Sequence, residues 1–348
     1  MLNAWLQFLT RHGAQVDEQS QEVIGFPAGN GKIEDGFVSP LSGLGLIQAS
    51  GEEAAVFLHN QLTNDVEHLG LGETRLAGYC SPKGRLLATF LMWKSADGIL
   101  LELPRQIQPA VQKRLQMFIL RAKVKLADMA ESHVILGIGG AQAGEVMKSH
   151  FPQLPTQPHA KVDTDAGTLI RVADAFGAPR YQWIAPREIA EAAWPGLVAA
   201  LTPVAPATWR LADIRAGIPQ IVQTTQEQFV PQMVNFELVG GVNFKKGCYP
   251  GQEIVARSQY LGKLKRRMVL ANVDAPDAQA GAEVFSGADP DQPCGMIVNA
   301  ERNPAGGIDC LVEIKLAALD DGTVHLGAAG GPALRFLDLP YALPDAAA

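Results

Sequence analysis

The sequence predicts a mixed α+β protein that ends in a small β-barrel. Patterns typical of helices and of short strands alternate over most of the chain. After Gly262, short strands separated by Gly, Pro, Asp and Asn follow one another: "RRMVLANV" (266–273), "CGMIVNAE" (294–301), "DCLVEIKL" (309–316), "TVHL" (323–326) and "ALRFLDL" (333–339). With 348 residues, of which 47% are hydrophobic and 19% are charged, the chain exceeds the size that one hydrophobic core normally serves. We therefore expect two or three domains.

The first part of the chain predicts two helices and a three-stranded meander. The N-terminal helix has four apolar residues on one face: Leu2, Trp5, Leu6 and Leu9. Ser50, followed by Glu53, indicates a reciprocal capping box, so a helix is expected to begin there and to end at Asn64 and Asp65. Between residues 75 and 104, apolar runs alternate with Ser-Pro-Lys-Gly and Ser-Ala-Asp-Gly turns, which predicts three consecutive strands.

Further helices are expected beyond the meander. One has an apolar stripe: Ile107, Val111, Leu115, Phe118 and Ile119. Two others lie near residues 187–201 and 207–216, and Gly217 closes the second. The run "HVILGIGGAQAGEVM" has a strand ahead of glycines, but Gln142 replaces the third glycine of the dinucleotide-binding pattern. These glycines are therefore expected to form a tight turn.

Charge and cysteine content restrict the class of protein. The net charge of -7, from 29 basic and 36 acidic residues, argues against a protein whose whole surface binds nucleic acid. The cysteines show no zinc or haem spacing, which is typical of a reducing compartment; they are Cys80, Cys248, Cys294 and Cys310. The sequence has no signal-peptide pattern and no continuous apolar run of about 18 residues. We expect a cytoplasmic protein with no membrane partner.

The segment "KKGCYPGQEIVAR", residues 245–257, places one cysteine in a distinctive setting. Pro250 and Gly251 suit a chain reversal, but Pro250 equally suits the first position of a helix that would continue to Gly262. Cys248 would then lie just ahead of a helix N-terminus. Backbone amides and nearby lysines there favour the thiolate form. The alternative is a buried cysteine that acts as a small hydrophobic residue, which we expect for the other three cysteines.

Two other features of this region have open interpretations. Gln252 and Glu253 either cap the helix or form hydrogen bonds with a heterocycle that has amide-like edges. Residues 245–267 contain only one acidic residue and seven basic ones: Lys245, Lys246, Arg257, Lys263, Lys265, Arg266 and Arg267. This run is either a solvated helix end or a docking patch for a polyanion such as a polyglutamate tail or RNA.

Several segments resemble the YgfZ family of folate-binding proteins. These are "KGCYPGQEIVAR" at 246–257, "AGIP" at 216–219, "PQMVN" at 231–235 and "YLGKLKRR" at 260–267. "FLHNQLTNDV" at 57–66 is similar to a segment shared with the related glycine-cleavage T-protein. The resemblance implies a protein that supports iron-sulfur proteins and affects tRNA modification through an iron-sulfur enzyme.

The resemblance also implies a fold and a cofactor. The fold would have three lobes around a central channel: residues 1–49 with 131–261, residues 50–130, and the barrel at 262–348. The cofactor would be tetrahydrofolate or a one-carbon derivative, with Cys248 as the reactive residue and no metal-binding residue. The implied cofactor-binding residues are Lys246, Tyr249, Gln252, Glu253, Arg257, Asn64 and Asp65.

The sequence departs from the T-protein at acidic positions. Leu87 and Ala88, which follow Gly84, stand where T-proteins carry an acidic pair, and Arg215 stands in place of a glutamate. Apolar side chains cannot transfer protons, which argues against ordinary aminomethyltransferase activity.

The leading hypothesis is a folate-dependent accessory protein for assembly or repair of iron-sulfur clusters in client enzymes, with direct tRNA contact left open. Its thiol would hold iron or a cluster transiently, exchange with a disulfide, or accept a one-carbon unit. The alternatives are a folate-dependent one-carbon transferase or demethylase, and a cysteine hydrolase that uses His59 or His68 as its base.

Overall fold

The computed structural model describes residues 2–27, 33–260, 264–320 and 322–344. The chain forms two compact units, each built from separate stretches. Unit 1 comprises Met1–Ala54, Leu69–Arg75 and Leu91–Ala212, and unit 2 comprises Ala55–His68, Leu76–Phe90 and Asp213–Ala348. The division into three domains expected from the sequence remains a prediction.

Helices and strands alternate through most of the chain, as expected for an α+β protein. The helices are α1 (Ala4–Arg11), α2 (Ala54–His59), α3 (Gln108–Met117), α4 (Ala143–Met147), α5 (Arg187–Ala200), α6 (Pro206–Arg215), α7 (Gln252–Tyr260) and α8 (Ala317–Asp320). The strands are β1 (Gln15–Asp17), β2 (Glu22–Gly25), β3 (Phe37–Pro40), β4 (Leu44–Ser50), β5 (Thr74–Cys80), β6 (Leu86–Ser95), β7 (Gly98–Pro104), β8 (Lys125–Asp128), β9 (His133–Gly139), β10 (Lys161–Thr164), β11 (Gly167–Ala175), β12 (Ala178–Pro186), β13 (Thr202–Pro203), β14 (Arg266–Val273), β15 (Glu283–Ser286), β16 (Asp289–Arg302), β17 (Ile308–Lys315), β18 (Val324–Leu326) and β19 (Leu334–Leu337). None of the helices in the described ranges combines the length and apolar composition needed to cross a membrane.

Unit 1 contains a six-stranded sheet in the order β10-β11-β12-β9-β3-β13. The sheet and the helices α1 and α5 share one hydrophobic core. The ring of Trp5 packs edge-on against Trp194 with centroids 5.8 Å apart, which joins the two helices. The predicted N-terminal helix is confirmed, and the side chain of Asn3 caps it by accepting a hydrogen bond from Leu6 N at 2.9 Å.

The glycines near residue 137 serve packing within a strand. Gly137 and Gly139 lie in β9, where added Cβ atoms would come within 2.4 Å of the Trp209 ring and 2.5 Å of the Phe37 ring. The expectation of a tight turn is therefore wrong for these two glycines, because both lie in extended backbone and admit large aromatic rings beside the strand. It is confirmed at Gly140, which follows the strand, has a φ of 98° and begins a turn in which the amide of Ala143 donates to the Gly140 carbonyl at 3.1 Å.

A second sheet begins with the predicted meander, β5, β6 and β7, which is confirmed. Within unit 1, β4 pairs antiparallel with both β7 and β8. The expected capping box is wrong: Oε2 of Glu53 accepts a hydrogen bond from the amide of Lys123 at 2.7 Å. The carboxylate that a local cap would need thus binds the amide of a residue distant in sequence. Helix α2 starts only at Ala54.

Helix α3 buries the first part of its predicted stripe. Ile107, Val111 and Leu115 are buried, but Phe118 is exposed because the helix has already ended at Met117. The helical period therefore no longer directs Phe118 toward the core.

Unit 2 contains the predicted C-terminal barrel. Six strands follow the order β18-β15-β16-β17-β14-β19, and a bridge between His325 and Ala333 joins the two outer strands. β14 spans the predicted residues 266–273, whereas the short strand β15 had not been anticipated. Buried residues of these strands form a second core. Unit 2 also contains most of β5 and the first half of β6.

Candidate functional site

Cys248 lies in a loop of unit 2 and is exposed, whereas the other three cysteines are buried. Burial raises the pKa of both Cys80 and Cys310 to about 12. The expectation of burial is thus confirmed for Cys80, Cys294 and Cys310. Cys248 is the cysteine that a solute can reach.

Helix α7 starts at Gln252, so Pro250 occupies a turn ahead of the helix and not its first position. The amide of Gln252 donates to the carbonyl of Tyr249 at 3.2 Å and closes this turn. The expected chain reversal at Pro250 and Gly251 is therefore confirmed, and the alternative of Pro250 as the first helical residue is wrong. Residues 249–251 separate Cys248 from the helix. Gly262, the expected end of the helix, lies outside the described residues.

Two glycines allow this turn to pack against the Ser-Pro-Lys-Gly turn. Gly251 has φ +80°, and an added Cβ would lie 2.5 Å from the carbonyl oxygen of Ser81 and 2.6 Å from Cα of Gly84. Gly84 also has a positive φ, and its added Cβ would lie 2.9 Å from Cβ of Ile254. A side chain at either position would separate the two turns. We call residues 246–251 the Cys248 corner.

Lys246 is buried and its ammonium group binds the protein backbone. Nζ donates to the carbonyl oxygens of His59 at 2.6 Å, Leu62 at 3.1 Å and Gly247 at 3.0 Å. It therefore satisfies the carbonyl at the last residue of α2, which lacks a partner within the helix. Nζ also lies 4.8 Å from the centre of the Tyr249 ring.

Burial lowers the pKa of Lys246 to about 8, and charge interactions with Asp65, Cys248 and Glu67 act in the opposite direction. Burial likewise raises the pKa of Tyr249. The structure thus brings together four of the predicted site residues: Lys246, Cys248, Tyr249 and Asp65.

Asp65 lies within a cluster of histidines that sequence reasoning had not assembled. Its Oδ1 is 3.1 Å from Nδ1 of His59, and its Oδ2 is 2.9 Å from Nδ1 of His68. Although burial opposes it, hydrogen bonds from His68 and the charges of both histidines lower the pKa of Asp65. An added Cβ at Gly247 would lie 3.5 Å from Nε2 of His59, so the histidine contacts the Cys248 corner.

Asn64 is buried, and its polar atoms bind the protein itself. Nδ2 donates to the carbonyls of Leu76 at 2.8 Å and Gly240 at 2.7 Å, and Oδ1 accepts from the amide of Asp65 at 2.8 Å. All three side-chain hydrogen bonds thus hold the loop after α2 in place. Both Asn64 and Asp65 follow α2, which ends earlier than the sequence predicted, at His59.

The remaining three predicted site residues lie on helix α7. Gln252 is half-buried, whereas Glu253 and Arg257 are exposed and lie one helical turn apart. None of these three side chains forms a hydrogen bond or ion pair with another residue in the described ranges. They are available to a ligand, and no contact joins them to Lys246.

Several basic side chains of the run at 245–267 bind other groups within unit 2. Lys246 binds backbone carbonyls, Arg266 forms two hydrogen bonds with Glu313 at 2.8 and 2.7 Å, and Arg267 pairs with Glu237. Lys263 lies outside the described residues. The run as a whole is therefore not a continuous cationic surface.

The positions that depart from the T-protein pattern are either buried or paired within the protein. Leu87 and Ala88 are buried in β6. Nε of Arg215 lies 2.6 Å from Oδ2 of Asp309. Asp309 is fully buried in the barrel, and its Oδ1 also accepts a hydrogen bond from Nδ2 of Asn272 at 2.8 Å. The positive charge at position 215 is therefore compensated within the protein. Among the described residues, no group of three or more His, Cys, Asp or Glu is arranged to hold a metal ion.

Comparisons with known proteins identify relatives over most of the chain. No family model matches the chain. It is 32% identical over 266 residues to the tRNA-modifying protein YgfZ of Edwardsiella ictaluri, a match that covers 75% of this chain and 79% of the relative. It is 33% identical over 234 residues to the tRNA-modifying protein YgfZ of Hamiltonella defensa, covering 66% and 67% of the two chains.

The fold also matches that of a solved structure. The glycine cleavage system aminomethyltransferase T from Bartonella henselae superposes with a TM-score of 0.79 over 96% of both chains, at 17% sequence identity. The match confirms the predicted T-protein fold class. At the sequence level, the chain belongs to the family of the tRNA-modifying protein YgfZ.

Proposed function

We propose that this protein is a folate-binding accessory protein that supports assembly or repair of iron-sulfur clusters in client enzymes, including tRNA-modifying ones. The observation that carries the proposal is the exposed Cys248 beside the buried ammonium group of Lys246, while the other cysteines are buried. The thiolate of a cysteine is the form that attacks electrophiles and binds metals, and an exposed sulfur can reach both. The relatives are tRNA-modifying proteins by name, which supplies the connection to tRNA modification.

Folate is the proposed cofactor, and unit 1 offers groups that fit its pterin ring. Gln182 and Glu102 are both buried, and Nε2 of Gln182 donates to Oε1 of Glu102 at 3.0 Å. Oε1 of Gln182 has no hydrogen-bond partner in the described part of the chain. A buried acceptor normally has a donor, and the 2-amino group and N3–H of a pterin are donors on one edge. We therefore add Gln182 and Glu102 to the candidate cofactor residues.

The residues implied by the family resemblance have different availability for folate. Lys246 and Asn64 use their polar groups on the backbone, and Asp65 pairs with histidines, so we propose that these residues shape the Cys248 corner. Gln252, Glu253 and Arg257 form no such hydrogen bonds or ion pairs within the described ranges, so they remain candidates for ligand contact. The guanidinium group of Arg257 suits the glutamate carboxylate of folate. Tyr249 is proposed to hold its ring beneath Lys246.

The surroundings of Cys248 favour this role over the enzymatic alternatives. The apolar Leu87 and Ala88 provide no acid or base for aminomethyl transfer. Cys248 forms no hydrogen bond with a histidine of the described ranges, and both His59 and His68 pair with Asp65. One thiolate cannot complete a four-thiolate cluster site, so any cluster bound by Cys248 needs ligands from a client protein.

Two measurements on the full-length protein test the proposal. Calorimetry with tetrahydrofolate should show saturable binding that weakens in Gln182→Ala, and absence of saturable binding by the unmodified protein would remove the cofactor. Cys248→Ser should retain the fold but fail to restore the activity of iron-sulfur enzymes in a deletion strain. Cys294→Ser, at a buried cysteine, is the matched control, and full rescue by Cys248→Ser would show that the thiol is dispensable.

A further inference from the structure

Unit 1 contains a strongly basic surface segment that the proposed function does not use. Residues 113–125, "KRLQMFILRAKVK", contain five basic residues and no acidic one, in a chain whose net charge is -7. The segment comprises the last turns of α3, the following loop and the start of β8. We call it the α3 basic segment. A local reversal of charge on an acidic protein marks a surface that attracts anions.

Most of these charges lack an internal partner. Nζ of Lys123 pairs with Oε2 of Glu52 at 2.7 Å. The other four basic side chains form no ion pair with a residue in the described ranges; they are Lys113, Arg114, Arg121 and Lys125. Three of them are exposed and Arg114 is half-buried. The excess positive charge is therefore free to meet a polyanion.

An apolar tip lies between the two pairs of free cations. Leu120 is 89% exposed, Met117 is 61% exposed and Phe118 is 46% exposed. Leu120 and Arg121 are the central residues of a turn closed by the amide of Ala122, which donates to the carbonyl of Ile119 at 2.8 Å. Such exposure of three neighbouring apolar side chains is unfavourable in water, which indicates that a ligand covers them.

The turn is held in shape from its base. Leu120 has φ +46°, a conformation that costs a residue with a side chain about 1–3 kcal/mol. The amide of Lys123 donates to Oε2 of Glu53 at 2.7 Å, and an added Cβ at Gly51 would come within 2.1 Å of the carbonyl of Lys123. The strained tip is therefore preformed, which lowers the entropic cost of binding.

We propose that the α3 basic segment is a docking surface for RNA, with the free cations on phosphates and the apolar tip against unstacked bases. The choice of RNA rests on the proposed function, since that function connects the protein with tRNA-modifying enzymes. Phe118 and Met117 remain partly embedded in unit 1, so they suit base stacking at the surface and cannot insert deeply into a membrane. Leucine and methionine side chains also wedge between bases in known nucleic-acid complexes.

The test measures binding of a fluorescently labelled, unmodified tRNA transcript to the full-length protein between 50 and 200 mM salt. Arg121→Ala with Lys125→Ala should reduce the slope of log K against log salt by about 1.4 to 1.8, corresponding to two phosphate contacts. The control pair Arg11→Ala with Arg302→Ala removes two exposed charges elsewhere and should leave the slope unchanged. Equal changes in both pairs would overturn the proposal.

Substitution of the tip gives an independent readout. Phe118→Ala should weaken tRNA binding by about 5- to 150-fold, the range for loss of one base stack. Phe176→Ala is the control because Phe176 is equally exposed, at 46%, and lies outside the α3 basic segment. Unchanged affinity in Phe118→Ala, or binding to phosphatidylglycerol vesicles without binding to tRNA, would refute RNA as the occupant. Tetrahydrofolate calorimetry on the same variants should be unaffected, so a failed tRNA result with intact folate binding overturns this inference alone.

Discussion

Replacement of Lys246 by methionine tests the construction of the Cys248 corner. Methionine preserves the apolar stem but removes three hydrogen bonds from the ammonium group to backbone carbonyls. Each such bond contributes about 1.5–3 kcal/mol. The lowered pKa, from 10.5 to about 8, corresponds to roughly 3 kcal/mol of unfavourable charge burial that methionine does not incur. We therefore expect Lys246→Met to reduce the free energy of unfolding by about 2–5 kcal/mol near pH 7.

The same substitution should have a pH dependence of defined sign. The pKa of Lys246 is lower in the folded protein than in the unfolded chain, so between about pH 8 and 10.5 the unfolded chain binds more protons. The free energy of unfolding therefore gains a contribution from Lys246 as the pH rises through this window. Lys246→Met lacks the contribution, so the difference between the two proteins should grow from pH 7 to pH 10.

Urea unfolding at pH 7 and pH 10 measures this difference, and hydrogen exchange at the end of α2 locates it. Lys245→Met is the control, because Lys245 is exposed and has no side-chain partner in the described ranges. A destabilisation equal in the two variants, or a difference that shrinks as the pH rises, would show that Lys246 does not cap α2 as a buried cation.

Two further substitutions test the contacts around the site. Gly251→Ala should destabilise unit 2 by about 2–4 kcal/mol, because it combines a positive φ with a clash against the backbone of Ser81 and Gly84. Gly240→Ala is the control, since Gly240 has the same φ of +80° but nothing within 4 Å of an added Cβ, and equal losses would exclude the clash. Arg215→Met should cost about 3 kcal/mol because it leaves the buried Asp309 charge with neutral amide donors only, whereas adding Asp309→Asn should recover part of the loss. Strictly additive effects in urea unfolding would show that the two charges do not interact.

Local sequence patterns correctly predicted the helices and strands whose apolar residues pack together into a core. β14 has the predicted boundaries, 266–273, because a short continuous apolar run bounded by turn residues specifies a buried strand. Helix α1 was predicted because Trp5, Leu6 and Leu9 recur at helical spacing, and all three are buried. These signals lie within a few residues of one another, and a single sequence contains them in full.

Contacts between distant residues account for the predictions that were wrong or missing. Glu53 matches a capping box, but the amide of Lys123, 70 residues away, takes its carboxylate. Lys246 was expected to contribute to a cationic patch, yet its ammonium group reaches a carbonyl 187 residues away. The pairing of Gln182 with Glu102 had no signal at all, because two polar residues on separate strands show nothing of their burial in the sequence.

The Cys248 corner explains why one short motif combines such different residues. Lys246 closes α2, Gly247 lies against His59, Tyr249 is buried beside the ammonium group, and Gly251 admits the turn at Gly84. Each of these residues serves the packing of the corner, and Cys248 is left exposed among them. If a variant of a neighbouring residue loses function, the cause can therefore be a displaced Cys248 thiol as readily as a lost contact with the ligand. Only Cys248→Ser, which changes one atom of an exposed side chain, separates the chemistry of the sulfur from the architecture that presents it.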